Sequence, residues 1–226
     1  MGPQASAAKP ATERIRLRRR RERGSYDRET IDAILDEALI AHLAIVMGDG
    51  QPLAIPTLHA RDGDVVYCHG ASAGRTMRTT AGGAAACLTV SLIDGLVLAR
   101  SAMHHSANYR SAIILGQARE ISEPEEKRAA FKAIVERIVP GRWGEVRPPS
   151  DNEMRATSVV ALAIEEASAK VRCGPPVDEE EDYELDAWAG VIPLSLGVGT
   201  PVPDPELRAG IALPEHLRAY RRTGTP

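Results

Sequence analysis

Phenylalanine occurs once in these 226 residues, at Phe131, and all aromatics together make up 4% of the chain. A core with so few rings must be filled by many small aliphatic pieces, drawn from the 43% of residues that are hydrophobic. Cysteine is scarce as well. Cys68, Cys87 and Cys173 are odd in number and far apart, which excludes a disulfide framework and reads as reduced thiols in a cytoplasmic protein. No apolar run approaches the roughly 20 residues that a membrane helix needs, so a soluble chain is expected. The arginine-rich N-terminus lacks the apolar stretch of a secretory signal. Motifs of the common catalytic classes are absent too. There is no CxxC, HExxH, GxSxG, Walker loop or strand-borne GxGxxG. His104-His105 and Cys68-His69 are adjacent pairs, whose side chains point to opposite faces of a strand. Neither pair can chelate one metal or act as a Cys-His couple, so neither a metal nor a hydrolase is expected.

What the chain does have is a charge asymmetry. Residues 1–24 carry eight Lys or Arg and two Glu, a local +6 within a chain of net charge -3, so the remainder holds -9. Seven of those bases are arginines between Arg14 and Arg23. Such a run suits nucleic acid, but no aromatic residue interleaves it to stack bases. It reads instead as a solvated, flexible leader lying along an acidic body.

The body follows in residues 25–172. Asp27 caps a helix over about 28–40, with Ile31, Ile34, Leu35 and Ala38 on one face. The period then changes to that of strands. Short apolar runs are separated by Gly48-Asp49-Gly50-Gln51, by Arg61-Asp62-Gly63-Asp64 and by Asp94-Gly95, three hairpin signals that predict an antiparallel meander. A strand over 110–121 precedes a second helix, opened by a Ser122–Glu125 capping box and carrying Phe131, Ile134, Val135 and Ile138 as its apolar stripe. Thr157 to Lys170 reads as the closing strand. The fold class is therefore mainly β: about six antiparallel strands closed as a small barrel, with peripheral helices. Residues 173–226, with Gly174-Pro175-Pro176, acidic Asp178 to Asp182 and six further prolines, read as an extended arm that wraps a partner subunit.

One segment looks chemical. Val65 to His69 runs into Gly70-Ala71-Ser72-Ala73-Gly74-Arg75, a strand leading through small residues to a helix start. Free amides there, with Ser72 and Arg75, would cradle a phosphate. An ordinary strand-to-helix turn with solvated arginines reads the same text equally well.

The order of these elements resembles the pyridoxamine-phosphate-oxidase-like family of FMN-binding split barrels, and within it the nitroimidazole-resistance-like branch. The matching text is Ala41-His42-Leu43-Ala44-Ile45-Val46, Gln51 to Thr57, Val66-Tyr67-Cys68-His69-Gly70-Ala71 with Gly74-Arg75, and Asn108 to Gly116. Each motif is loose alone; their order and spacing are specific. The resemblance covers roughly residues 26–172 and implies a six-stranded antiparallel split barrel, a homodimer, and FMN held at the dimer interface. It places the FMN phosphate at Ser72, Arg75 and Arg78, and the ring along Ile55, Pro56, Thr57 and Leu58. His69 stands next to the cofactor, and Tyr109, Arg110 and Ser111 come from the strand across the interface. Thr76 and Gly70 stand where the family often has Lys and Ser, which implies a lower FMN affinity or a different occupant. The resemblance further implies an oxidoreductase, a reductase or oxidase of a small organic molecule. Two alternatives accompany it: haem binding through His69, His104 or His105, and a non-catalytic regulatory protein that uses the leader for an anionic partner. Vitamin B6 synthesis is not expected, because the substrate-binding text of the true oxidases is missing.

Overall fold

The computed structural model describes residues 8–222; the first seven residues of the leader and the last four of the arm lie outside it. Among the described residues no helix is long and apolar enough to cross a membrane.

The elements are, in order, β1 (Gly24–Ser25), α1 (Arg28–Glu37), β2 (Ile40–Val46), β3 (Pro52–Asp62), β4 (Val65–Ala71), α2 (Arg75–Ala81), β5 (Ala85–Leu98), β6 (Ser106–Gln117), β7 (Arg119–Glu120), α3 (Pro124–Ile138), α4 (Asp151–Ala156), β8 (Thr157–Ala163), β9 (Glu166–Arg172), β10 (Gly190–Pro193) and α5 (Glu215–Arg218). Every strand pairing is antiparallel, in the order β1-β9-β6-β5-β2-β3-β4-β8-β7, with β10 on β5. The path does not close. It is a split barrel, as the element order leads one to expect.

Local rules account for most of this. Asp27 accepts from the Thr30 amide at 3.0 Å and caps α1, whose Ile31, Ile34 and Leu35 are buried against both halves of the sheet. Gly50 and Gly63 take positive φ (84° and 56°) at the β2–β3 and β3–β4 turns, the conformation for which glycine carries no steric cost. Small side chains alternating with Val, Leu and Ile on β2, β5 and β6 fill the main core almost without aromatic rings. A second cluster, Ile121, Ala130, Val159 and Ala161 with Tyr67 and Phe131, lies under α3.

Three expectations need correction. Asp94-Gly95 makes no hairpin, because β5 runs straight through it with a bulge between Ile93 and Gly95. Gly95 serves close approach instead: a Cβ there would stand 3.0 Å from the Ile192 carbonyl oxygen of β10. The Ser122–Glu125 capping box does not form. Glu123 is the N-cap and Pro124 opens α3, its ring having removed an amide that a cap would satisfy. A capping box forms further on, between Ser150 and Glu153 of α4. Finally, the stretch from Thr157 to Lys170 is two strands, β8 and β9, joined by a tight connection and assigned to opposite halves of the split. Counting it twice, with the short β1, β7 and β10, raises the strand number to ten.

His59 illustrates how tightly the halves join. Its side chain is buried on β3, and its Nε2 donates to the Leu35 carbonyl of α1 at 3.0 Å. Burial pushes its pKa below the usual histidine value, with the nearby Arg137 charge acting in the same direction. The unfolded chain therefore takes up this proton first on acidification. Stability is complete above the ordinary histidine pKa of about 6.5 and falls as the pH drops below it. Urea unfolding between about pH 7 and pH 5 should show that fall. The variant His59→Gln, whose amide keeps a donor for Leu35, should show a shallower one; an identical slope would remove His59 as the cause.

Candidate functional site

The split itself creates the first feature. Over Pro52 to Leu58, β3 pairs with β2, but it pairs with β4 only from His59 to Asp62. Past Cys68, β4 keeps only its β8 partner, with His69 opposite Val159 and Ala71 opposite Thr157. Ile55, Pro56, Thr57 and Leu58 therefore have a ladder on one side and an open backbone edge on the other. Pro56 is tolerated there because an edge leaves positions at which no amide is required.

At the mouth of this opening, β4 leads into α2. Gly70 lets the helix pack closely, since a Cβ would stand 3.0 Å from the Met77 Cγ. Cys68 points into the core, and burial pushes its thiol up to about 12, so it supplies no thiolate. His69 points the other way, edge-on to Phe131 with ring centroids 6.0 Å apart. Burial holds its pKa below the usual value, and its buried Nδ1 has no hydrogen-bond partner. This is a neutral imidazole with an unused polar atom.

The loop is less of a cradle than its text suggests. Ser72 donates both its amide (2.9 Å) and its hydroxyl (3.0 Å) to the Ala156 carbonyl, and the Gly74 amide donates to the Ala71 carbonyl at 2.8 Å. With seven residues, α2 is also too short to contribute much dipole. What remains is Arg75 and Arg78, one helical turn apart and both exposed. Among the described residues neither guanidinium has a hydrogen bond or an ion pair. They contrast with Arg28, Arg61, Arg110, Arg119 and Arg147, all engaged by carboxylates.

Tyr109, Arg110 and Ser111 are elsewhere. They lie on β6, which β5 and β2 separate from β3, so a single chain does not bring them to the opening. Arg110 is fully engaged within its own chain: it donates to Asp94 at 2.7 and 2.9 Å and to Glu37 at 2.8 Å. Those two carboxylates raise its pKa above the ordinary arginine value.

A second feature was not foreseen as a site. A cleft of about 860 Å³ lies between the leader and the residues after β9, lined by Arg19, Arg20, Arg23, Lys170 and Arg172, with His104 and His105 at its lip. The sequence singled out the two histidines and the leader arginines but not Arg172, which reads as an ordinary strand-end cation. One His-carboxylate cluster, His104 with Asp178 and Asp182, brings ligand atoms within 4.8 Å. Asp178 already accepts from the Arg100 amide and guanidinium at 3.1–3.2 Å, so it anchors the arm to the 100–101 turn.

Comparisons with known proteins agree on the class. A family model described as pyridoxamine 5'-phosphate oxidase matches residues 27–171. Among solved structures, the flavocytochrome Anf3 from Azotobacter vinelandii is 42% identical, with 95% of this chain and 99% of that one covered and a TM-score of 0.89. An FAD- and haem-binding protein from Mycobacterium smegmatis is 38% identical over 88% of this chain and 97% of its own, with a TM-score of 0.83. A 5-nitroimidazole antibiotic resistance protein from Bacteroides thetaiotaomicron is similar in fold, at 24% identity over 66% and 86% and a TM-score of 0.56. No curated protein gives a significant match.

Proposed function

The chain belongs to the pyridoxamine 5'-phosphate oxidase family, and from that premise we propose that it is a flavin-dependent oxidoreductase acting on a small organic molecule. The observation that carries this reading is the pair Arg75 and Arg78, two unpartnered guanidiniums on the helix that directly follows β4, the strand whose short pairing with β3 leaves the backbone edge of Ile55 to Leu58 open. Guanidiniums at that spacing suit a phosphate, to which each can donate two charge-assisted hydrogen bonds. The edge of Ile55 to Leu58 offers backbone donors and acceptors to the polar atoms of a flavin ring. His69, neutral and with an unused Nδ1, stands one residue beyond the last β3–β4 pair. A bound flavin supplies hydride and single-electron chemistry, while the chain supplies binding, orientation and exclusion of water. Tyr109, Arg110 and Ser111 belong in this reading to the facing site of a second copy, in a homodimer.

The test is the visible spectrum of the protein purified without added cofactor, followed by identification of what denaturation releases. Two flavin bands and released FMN, or its adenylated form FAD, are expected. A colourless protein that takes up neither would overturn the reading.

A haem alongside the flavin is a second reading, favoured by the geometry of His105. Its Nδ1 lies 3.0 Å from the Ser101 carbonyl oxygen. A carbonyl can only accept, so Nδ1 carries the proton and Nε2 keeps its lone pair, the arrangement that orients a histidine as a metal ligand. The two relatives above 30% identity are described as a flavocytochrome and as an FAD- and haem-binding protein. A Soret band is expected in the wild type, lost in His105→Ala and kept in His69→Ala and His104→Ala. An intact band in His105→Ala would remove His105 as ligand, and no band in any preparation would remove the haem.

A further inference from the structure

Arg172 is the least explained charge in the molecule. It is 8% exposed at the end of β9, yet no carboxylate pairs with it. Its guanidinium donates only to neutral oxygens, those of Asn108, Gly174 and Pro175, and its buried Nε has no partner. An uncompensated buried cation is costly, and its burial together with Arg23 nearby lowers its pKa from the ordinary arginine value. Lys170, Arg19, Arg20 and Arg23 line the same cleft. Five cations converge there against three carboxylates, Glu22, Asp178 and Glu179, of which Asp178 is already held by Arg100, so the lining keeps an excess of positive charge.

The cleft wall is deliberately held. The leader is tied at one end by Thr12 and Arg14, which donate to Glu166 at 2.7–3.0 Å, and at the other by β1 pairing with Lys170 and Ala169. Between these ties the Leu17 amide donates to the Tyr26 hydroxyl at 2.6 Å, and the chain reverses at Arg20 with φ 53°. Among the described residues Arg20 is the only one other than glycine with a positive φ. That conformation costs about 1 kcal/mol for a residue with a side chain, and it bends the leader into a wall that faces Arg172. The leader and residues 172–179 lie outside the segment 27–171 that the family model matches, while Met103 to Ser106, Lys170 and Val171 lie within it, so the cleft forms where flanking segments meet the family domain.

We infer that this cleft seats the carboxylate end of a haem, with Arg172 as the buried anchor and Lys170 and Arg23 as its partners at the rim. The inference rests on the haem reading and adds to it which residues recognise the two carboxylates. The ligand's charge would neutralise what the chain leaves unpaired, and His105 stands at the lip of the same cleft.

The test compares haem with its dimethyl ester, in which both carboxylates are masked. Full-length flavin-loaded protein, produced under haem limitation, is titrated with each and followed by the Soret shift. Wild type should bind haem at least about tenfold more tightly than the diester, the range expected of hydrogen bonds to charged groups. Arg172→Gln should lose most of that preference while its diester affinity stays the same. Equal wild-type affinity for the two ligands would overturn the carboxylate assignment and leave the haem reading standing. A Soret shift with neither would sink the haem reading itself. Full preference in Arg172→Gln would overturn Arg172 as anchor. If that variant fails to fold, judged by lost flavin bands, the double variant Arg23→Gln/Lys170→Gln carries the test: a reduced preference supports the cleft, an unchanged one overturns it.

Discussion

Replacing both Arg75 and Arg78 by glutamine should strip the flavin from the purified protein and weaken its rebinding by about a hundredfold or more. Each guanidinium would lose charge-assisted hydrogen bonds worth about 1.5–3 kcal/mol. Two such losses at adjacent positions need not add fully, but either alone is at least about tenfold. The same variant should melt within a degree or so of wild type stripped of its flavin, because neither side chain has a partner in its own chain to lose. Bound flavin per protomer after gel filtration, a fluorescence titration of the stripped protein and a thermal melt together separate the outcomes. Full flavin retention would move the phosphate elsewhere. Loss of flavin together with a melting temperature below that of stripped wild type would point to a structural role for the helix instead.

Arg110→Met should do the opposite, destabilising the fold by about 3 kcal/mol. Arg110 on β6 joins Glu37 at the end of α1 to Asp94 at the β5 bulge, and all three side chains are partly buried. Removing the cation leaves two carboxylates side by side without one, and breaking such a pair on one side costs more than the pair contributes. For a chain of this size the melting temperature should fall by about 6–12 °C. The triple variant Glu37→Gln/Asp94→Asn/Arg110→Met should recover most of the loss, since no charge is then stranded. A stable Arg110→Met protein that has lost its flavin would instead assign Arg110 to the cofactor across a dimer interface.

Much of this protein is legible along the chain. Gly50 and Gly63 mark their turns because a hairpin needs positive φ, and Asp27 marks the start of α1 because a helix leaves its first amides unpaired. The alternation on β2 to β6 gives the antiparallel sheet, and the ordered motifs from Ala41 to Gly116 give the family. These are signals that neighbouring residues complete by themselves.

Other features depend on residues far away in sequence. Asp94-Gly95 has the composition of a hairpin, and it stays extended because β10, almost a hundred residues later, packs against it. Ser72 has the look of a phosphate ligand, and the Ala156 carbonyl takes both of its donors. The arginines are alike in the sequence; only the fold decides that Arg110 meets two carboxylates, that Arg75 and Arg78 meet none, and that Arg172 is buried without one. The sequence by itself determined the turns at Gly50 and Gly63, the cap of α1, the strand period and the family. The tertiary structure alone decided which charges are satisfied, because a turn is set by the dihedral angles of a few adjacent residues, whereas a charge is satisfied by whatever the rest of the chain brings within about 4 Å of it.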